Sequence, residues 1–94
     1  MKKALMMAVV VITIHAKRFE FAPNEVHLKR GEPVTIRLVS DDRAHGLSSK
    51  PLQVELDGND EVTITPTMAG TFKAICDHYC GSGHGNMKMM FVVE

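Results

Sequence analysis

Alternating apolar and polar residues run along most of the chain and predict a series of short β-strands. The clearest run spans residues 34–39, where Val34, Ile36 and Leu38 alternate with more polar neighbours. Similar runs occur near residues 19–21, 26–28, 52–56, 62–64, 71–76 and 87–93. Turn-forming segments separate them, such as residues 57–60 with the sequence Asp-Gly-Asn-Asp. Because no stretch after residue 12 keeps a 3.6-residue period, we expect an all-β, antiparallel sandwich or barrel.

The N-terminus begins with two lysines followed by an apolar run from Ala4 to Ile12. This order is typical of a secretory signal, but the run has only about half of the ~20 residues that a membrane-spanning helix needs. It also merges into β-branched residues that favour a strand. Residues 1–10 are therefore interpreted in three ways: a shortened signal or membrane tether, the start of the first strand, or a cloning artefact. Residues 11–94 are expected to form one domain.

The composition narrows the function classes. The chain has 94 residues, and its eleven Lys and Arg balance eleven Asp and Glu, giving a formal net charge of zero. A protein that binds nucleic acid needs an excess of basic residues, so we expect no nucleic-acid partner. Five His, two Cys and seven Met are many metal-binding side chains for this length. Nothing in the sequence suggests a substrate pocket, and we therefore expect a metal-binding protein and not an enzyme.

The donor side chains concentrate in one segment between two predicted strands. It contains Cys76, Cys80, His84 and Met87 within twelve residues. Thiolate, imidazole and thioether together suit copper better than they suit cations that prefer oxygen. Three glycines, at positions 81, 83 and 85, allow the segment to bend tightly around an ion.

Other chemistries use the same residues less completely. A structural zinc site could take Cys76, Cys80, His84 and His45, but it has no use for Met87. A disulfide would close a very small loop worth roughly 2 kcal/mol and leave the His and Met without a role. A Cys–His hydrolase would need a third orienting residue and an oxyanion hole. A mononuclear copper site could use His45, Cys80, His84 and Met87, and Cys76 would then be surplus.

The spacing Cys-x3-Cys-Gly-x2-His-x2-Met resembles the binuclear copper (CuA) loop of cupredoxins, as in subunit II of cytochrome c oxidase and in nitrous oxide reductase. The resemblance extends over roughly residues 12–94. Its other parts are Phe19-Glu-Phe21-x-Pro23, Val26-x-Leu28-x-x-Gly31-x-Pro33-Val34, Ala44-His45-Gly46-Leu47 and Gly70-Thr71-Phe72. It implies the antiparallel Greek-key β-sandwich or barrel of the cupredoxins.

The resemblance also implies how most of the ligands are used. Cys76 and Cys80 would each bridge two copper ions through their thiolate sulfurs. His84 would bind one copper ion, and His45 would bind the other. Two thiolates that share two metals spread the charge of one electron, which is why we prefer the binuclear interpretation to the mononuclear one.

Two further ligands have weaker roles in this resemblance. Met87 would be a weak axial ligand to one copper ion. The backbone carbonyl of His78 would bind the other, at a position where the family often has Glu. A carbonyl ligand does not depend on its side chain, so we expect the site to tolerate His78. In the alternative, the imidazole of His78 is itself the ligand.

These features predict an electron-transfer protein that works outside the cytoplasm, in the periplasm or an equivalent compartment, as a monomer. Its partner would be a redox protein of unknown identity. The absence of Trp and of an acidic docking face argues against cytochrome c, and the absence of a transmembrane hairpin argues against assembly into a full oxidase. The alternatives are a carrier that delivers copper to another protein and a mononuclear cupredoxin.

Overall fold

The computed structural model of the chain describes residues 10–42, 45–76 and 87–94. These residues form β-strands and one short 3-10 turn, and none of them belongs to an α-helix. The strands are β1 (Val10–Lys17), β2 (Glu20–Ala22), β3 (Glu25–Leu28), β4 (Val34–Ser40), β5 (Gly46–Ser49), β6 (Val54–Asp57), β7 (Asp60–Ile64), β8 (Gly70–Ile75) and β9 (Lys88–Val93). The predicted all-β class is confirmed.

The strands form two sheets. Sheet A has four strands in the order β2-β1-β4-β7, and sheet B has five in the order β3-β9-β8-β5-β6. The pairs β1–β4 and β3–β9 are parallel, so the sheets are mixed and not wholly antiparallel as expected. The chain leaves sheet A after β2, forms β3 in sheet B and returns to sheet A as β4. On its return β4 lies beside β1 and runs in the same direction.

The core lies between the sheets and follows the period of two that the sequence shows. In β3, β6 and β9 every second residue is buried, and the residues between them face outward. The largest fully buried apolar side chains are Phe91, Ile14, Ile36, Leu38, Leu47, Met87 and Met89. Full burial of each such side chain contributes about 1.5–3 kcal/mol, and together they hold the two sheets face to face.

One predicted strand starts later than expected. Leu52 was expected to open the strand that continues to residue 56, but it lies in the 3-10 turn Lys50–Leu52. Pro51 lies inside that turn and has no backbone N–H for a sheet ladder. Gln53 then adopts a left-handed conformation with φ 61° before β6 begins. Leu52 is buried, so its side chain serves the core although its backbone is not in a strand.

Strand β5 has no counterpart in the sequence prediction. All four of its residues, Gly46–Ser49, are buried, so no alternation of apolar and polar residues marks it. It lies between β8 and β6 in sheet B, and strands that are covered on both faces lose the period-two pattern.

Across the described ranges we find no helix with the length and apolar character needed to cross a membrane.

Candidate metal centre

The described candidate ligands lie at one end of the sandwich. Strands β5 and β8 are antiparallel neighbours that pair through Ser48 and Ile75, so β5 starts where β8 ends. Strand β9 is antiparallel to β8 and starts there as well. His45 immediately precedes β5, Cys76 follows β8 and Met87 precedes β9. We call this the β8–β9 end.

Cys76 and Met87 are held side by side at the base of the β8–β9 connection. The backbone N–H of Cys76 donates a hydrogen bond to the carbonyl oxygen of Met87, with an N–O distance of 3.2 Å. Both residues are buried, with 2% and 1% of their surface exposed. This bond extends the β8–β9 ladder by one pair, so two soft sulfur donors start from a fixed backbone position.

The backbone of His45 is fixed from both sides. Its N–H donates to the hydroxyl oxygen of Ser40 at 3.2 Å, and its carbonyl oxygen accepts from the N–H of Gly58 at 2.7 Å. The Ser40 hydroxyl in turn donates to the Gly58 carbonyl oxygen at 2.6 Å. These three hydrogen bonds tie the residue before β5 to the end of β4 and to the β6–β7 turn.

The side chain of His45 is oriented by Asp42. Its Nε2 lies 2.7 Å from Oδ1 of Asp42, whose other oxygen accepts from the backbone N–H of Arg18 at 2.9 Å. The Arg18 N–H, and after it the His45 ring, lower the pKa of Asp42 to about 2. The carboxylate is therefore ionised at neutral pH and can only accept hydrogen bonds, so Nε2 of His45 carries the hydrogen.

The other ring nitrogen of His45 is left available. In a neutral imidazole with hydrogen on Nε2, Nδ1 has a lone pair. Nδ1 is buried and has no hydrogen-bond partner in the described parts of the chain. An unsatisfied buried polar atom costs about 1–3 kcal/mol, and a bound metal ion would remove that cost. Histidine ligands of metals usually donate a hydrogen bond from one ring N–H to a carboxylate while the other nitrogen faces the metal, so these residues fit copper.

The remaining predicted ligands, His78, Cys80 and His84, lie outside the described residues, and their roles stay predictions. Within the described ranges, no group of three or more His, Cys, Asp or Glu is placed to hold a metal ion. The described part of the predicted donor set is therefore His45, Cys76 and Met87, which the fold brings to the same end of the sandwich.

Two contributors to this site were not predicted from the sequence. Asp42 is not among the predicted site residues, although a carboxylate three residues before a candidate metal-binding His is a recognisable signal. Arg18 contributes through its backbone N–H, which every residue except Pro possesses. Its role depends on the fold, which brings the β1–β2 turn beside the end of β4, and no sequence signal marks it.

Comparison with known proteins now places the chain. The cupredoxin-like domain profile matches residues 2–93. The chain belongs to the cupredoxin-like family. It is 29% identical over 87 residues to cytochrome c oxidase subunit 2 of Thermus thermophilus, which covers 88% of this chain. The cupredoxin-like chain spans 64% of the length of that relative and 52% of the length of a second subunit 2 from the same species.

Solved structures share the fold at low sequence identity. The periplasmic domain of cytochrome oxidase subunit II from Bradyrhizobium japonicum superposes with a TM-score of 0.82 and 16% identity, covering 90% of this chain and 83% of that one. Auracyanin A, a blue copper protein from Chloroflexus aurantiacus, superposes with a TM-score of 0.68 and 20% identity, covering 93% of this chain and 100% of that one. The predicted resemblance to the subunit II copper domain is confirmed. The cupredoxin fold is common to both kinds of copper protein, so it does not choose between one copper ion and two.

Proposed function

We propose that this chain is an electron-transfer cupredoxin with a binuclear CuA-type copper centre. The observation that carries the proposal is Nδ1 of His45, which is buried and has no hydrogen-bond partner among the described residues, at the end of the sandwich where Cys76 and Met87 meet. The proposed ligands are the side chains of Cys76, Cys80, His84, His45 and Met87 and the backbone carbonyl of His78.

The position of Cys76 beside Met87 supports two copper ions over one. A mononuclear site needs a single thiolate, and Cys80 would supply it. Cys76 would then be a surplus thiol. Its backbone N–H donates to the carbonyl oxygen of Met87, so it lies inside the sandwich beside another candidate ligand. Two bridging thiolates would let the copper pair take up one electron with its charge spread over both metals.

The chain itself contributes rigidity and exclusion of water. His45 is held by its backbone hydrogen bonds and by Asp42, and Cys76 and Met87 continue the paired strands β8 and β9. All three side chains are buried. Ligands that start from paired strands keep their positions when the charge of the site changes, and a small rearrangement favours fast electron transfer.

We also propose the compartment and the partners. The structural relative from Bradyrhizobium japonicum is a periplasmic domain, and we propose a periplasmic or equivalent extracytoplasmic location for this chain. We propose a redox protein as the partner, a monomeric state, and no catalytic reaction of its own. The predicted membrane tether involves residues 1–10, of which 1–9 lie outside the described residues, and it stays a prediction.

Copper content and electron paramagnetic resonance test the binuclear site together. Protein loaded with copper under conditions that keep its thiols reduced should hold two coppers per chain. One unpaired electron shared equally by two copper nuclei should give a seven-line hyperfine pattern. A reproducible single copper with a four-line pattern would contradict the binuclear site and favour the mononuclear alternative.

Retention of copper by the reduced protein distinguishes electron transfer from the copper-carrier alternative. An electron-transfer site must keep both metals through repeated reduction and oxidation. We therefore expect the loaded protein to retain its copper when it is reduced in the presence of a competing chelator for Cu(I), and to recover its visible spectrum on reoxidation. Transfer of copper to the chelator in the first reduction would support delivery of copper and not electron transfer.

A further inference from the structure

A second histidine forms a cluster on the outer face of sheet B. His27 lies on the edge strand β3 with Glu25 two residues before it, and Glu94 follows β9. Nε2 of His27 is 2.8 Å from Oε2 of Glu25, and Nδ1 is 2.8 Å from Oε2 of Glu94. Both ring nitrogens therefore contact a carboxylate at hydrogen-bond distance.

The two contacts determine the protonation state of the ring. An ionised carboxylate only accepts hydrogen bonds, and a neutral imidazole has one N–H to donate. If His27 were neutral, one carboxylate would face a nitrogen lone pair, and two negative charges would flank an uncharged ring. The observed arrangement of Glu25, His27 and Glu94 is satisfied when both nitrogens carry hydrogen, which is the imidazolium form.

The cluster joins segments that the backbone also joins. The N–H of Glu94 donates to the Leu28 carbonyl at 2.9 Å, and the N–H of Arg30 donates to the Glu94 carbonyl at 3.1 Å. Strand β3 is the edge of sheet B and pairs only with β9 among the described strands. The side-chain contacts of His27 and these backbone bonds thus join the same two segments, the edge strand with the residues after it and the end of β9.

We propose that Glu25, His27 and Glu94 form a pH-sensitive clasp that fastens the edge strand β3 to the C-terminal end of β9. When His27 loses its proton, one of the two ring–carboxylate hydrogen bonds is lost, and the repulsion between Glu25 and Glu94 is no longer offset. The backbone bonds around Glu94 should then open more often.

The surroundings give the direction of the pH dependence. Besides the two glutamates, the described charged groups on this side are Lys29 and Glu32, which line the same surface hollow as His27, and Lys73 of β8 and Lys88 of β9, which share its face of the sheet by register. The hydrogen bond to Glu94, followed by that to Glu25, raises the pKa of His27 above its ordinary 6.5. The stabilisation that the clasp gives to the β3–β9 edge is therefore fully present below pH 6.5, and it is lost as the pH rises through the pKa of His27 in the folded protein.

Titration of the histidine rings by NMR tests the charge state in the purified full chain. We expect the titration midpoint of His27 to fall when both glutamates are replaced, in Glu25→Gln with Glu94→Gln. His15 is the internal control because its side chain is equally exposed, at 52%, and pairs with a different carboxylate, that of Asp41, at 3.2 Å. Its titration should be the same in both proteins. An unchanged His27 midpoint in the double variant would overturn the proposal.

Amide hydrogen exchange tests whether the backbone bonds around Glu94 open more often when His27 loses its proton. After correction for the intrinsic pH dependence of exchange, the Glu94 and Arg30 amides should lose protection as the pH rises through the His27 midpoint. In His27→Gln, which keeps a polar side chain that does not titrate, their protection should not depend on pH. The Gly58 amide, bonded to the His45 carbonyl at the other end of the molecule, is the control. The same pH profile in wild type and His27→Gln would overturn the clasp.

Discussion

At the residue scale, the chemistry of the candidate centre depends on which nitrogen of His45 carries hydrogen. Asp42 fixes the hydrogen on Nε2 because it is an ionised acceptor 2.7 Å away. Nδ1 is thereby prepared as a metal ligand before any metal arrives. Asp42 itself is held by the Arg18 backbone N–H, so the β1–β2 turn contributes to the centre although none of its side chains is a proposed ligand.

The substitution Asp42→Asn tests this positioning. The amide oxygen can still accept from His45, but its NH2 group would then face the Arg18 N–H, donor against donor, and the negative charge is gone. Loss of such a supporting group typically lowers metal affinity 10–100-fold, and we expect about that loss in copper competition with a chelator. Asp41→Asn is the matched control because Asp41 contacts the exposed His15. Equal copper affinity in the two variants would contradict the role of Asp42.

The two thiols give a second prediction at this scale. If both thiolates bridge, Cys76→Ser and Cys80→Ser should each abolish the binuclear spectrum, because a hydroxyl is a much poorer ligand for copper than a thiolate. If the site is mononuclear, only Cys80→Ser should remove the thiolate-to-copper absorption. Visible spectra of the two variants, recorded after identical copper loading, distinguish these outcomes. Unchanged absorption in Cys76→Ser would favour one copper ion.

At the element scale, sequence pattern predicted the strands that have one covered face and missed the exceptions. The alternation in β4, β6 and β9 is visible because each has one side toward the core. Strand β5 is buried throughout and carries no such pattern. The parallel pairing of β1 with β4 depends on where the chain changes sheets, and local sequence does not encode it. The same limit applies to the site, where a motif indicated His45 and Cys76 but a distant backbone N–H had no signal.

A glycine in the β6–β7 turn, which supports the β8–β9 end, gives a prediction, and a second glycine elsewhere in the chain is its matched control. Gly58 and Gly31 both have positive φ, 66° and 84°, and a Cβ at either would meet no described atom within 4 Å. Alanine at either position should therefore cost only the left-handed backbone energy, about 1–2 kcal/mol. That corresponds to a melting temperature lower by about 4–8 °C for each kcal/mol in a domain of this size.

The two turns differ in what they support. The Gly58 N–H donates to the carbonyl of His45, whereas the Gly31 N–H donates to that of Pro66. We expect Gly58→Ala and Gly31→Ala to lower the melting temperature of the copper-free protein similarly, and only Gly58→Ala to weaken copper retention against a chelator. Equal retention in both variants would show that the β6–β7 turn does not support the centre.

At the scale of the whole molecule, a chain of 94 residues has a modest core, and a bound metal adds noticeably to its stability. The proposed ligands come from before β5, after β8 and before β9, so copper would connect three strands of sheet B at one end. His45 joins the ligands of the segment 76–87 only in the folded chain. Copper that binds the folded state with little affinity for the unfolded chain stabilises the fold by about 4 kcal/mol when its free concentration is 1,000 times the dissociation constant.

We therefore expect the melting temperature to rise clearly when copper is added to protein whose thiols are reduced. His45→Ala should lose most of this increase because it removes the one described ligand outside the segment 76–87. His15→Ala should keep it, since His15 is exposed, pairs with Asp41 and is not a proposed ligand. The comparison uses the copper-dependent increase within each variant, so a change in copper-free stability caused by the substitution does not affect it. An equal increase in His45→Ala and in wild type would remove His45 from the ligand set, and with it the structural support for a centre that draws on both β5 and the β8–β9 connection.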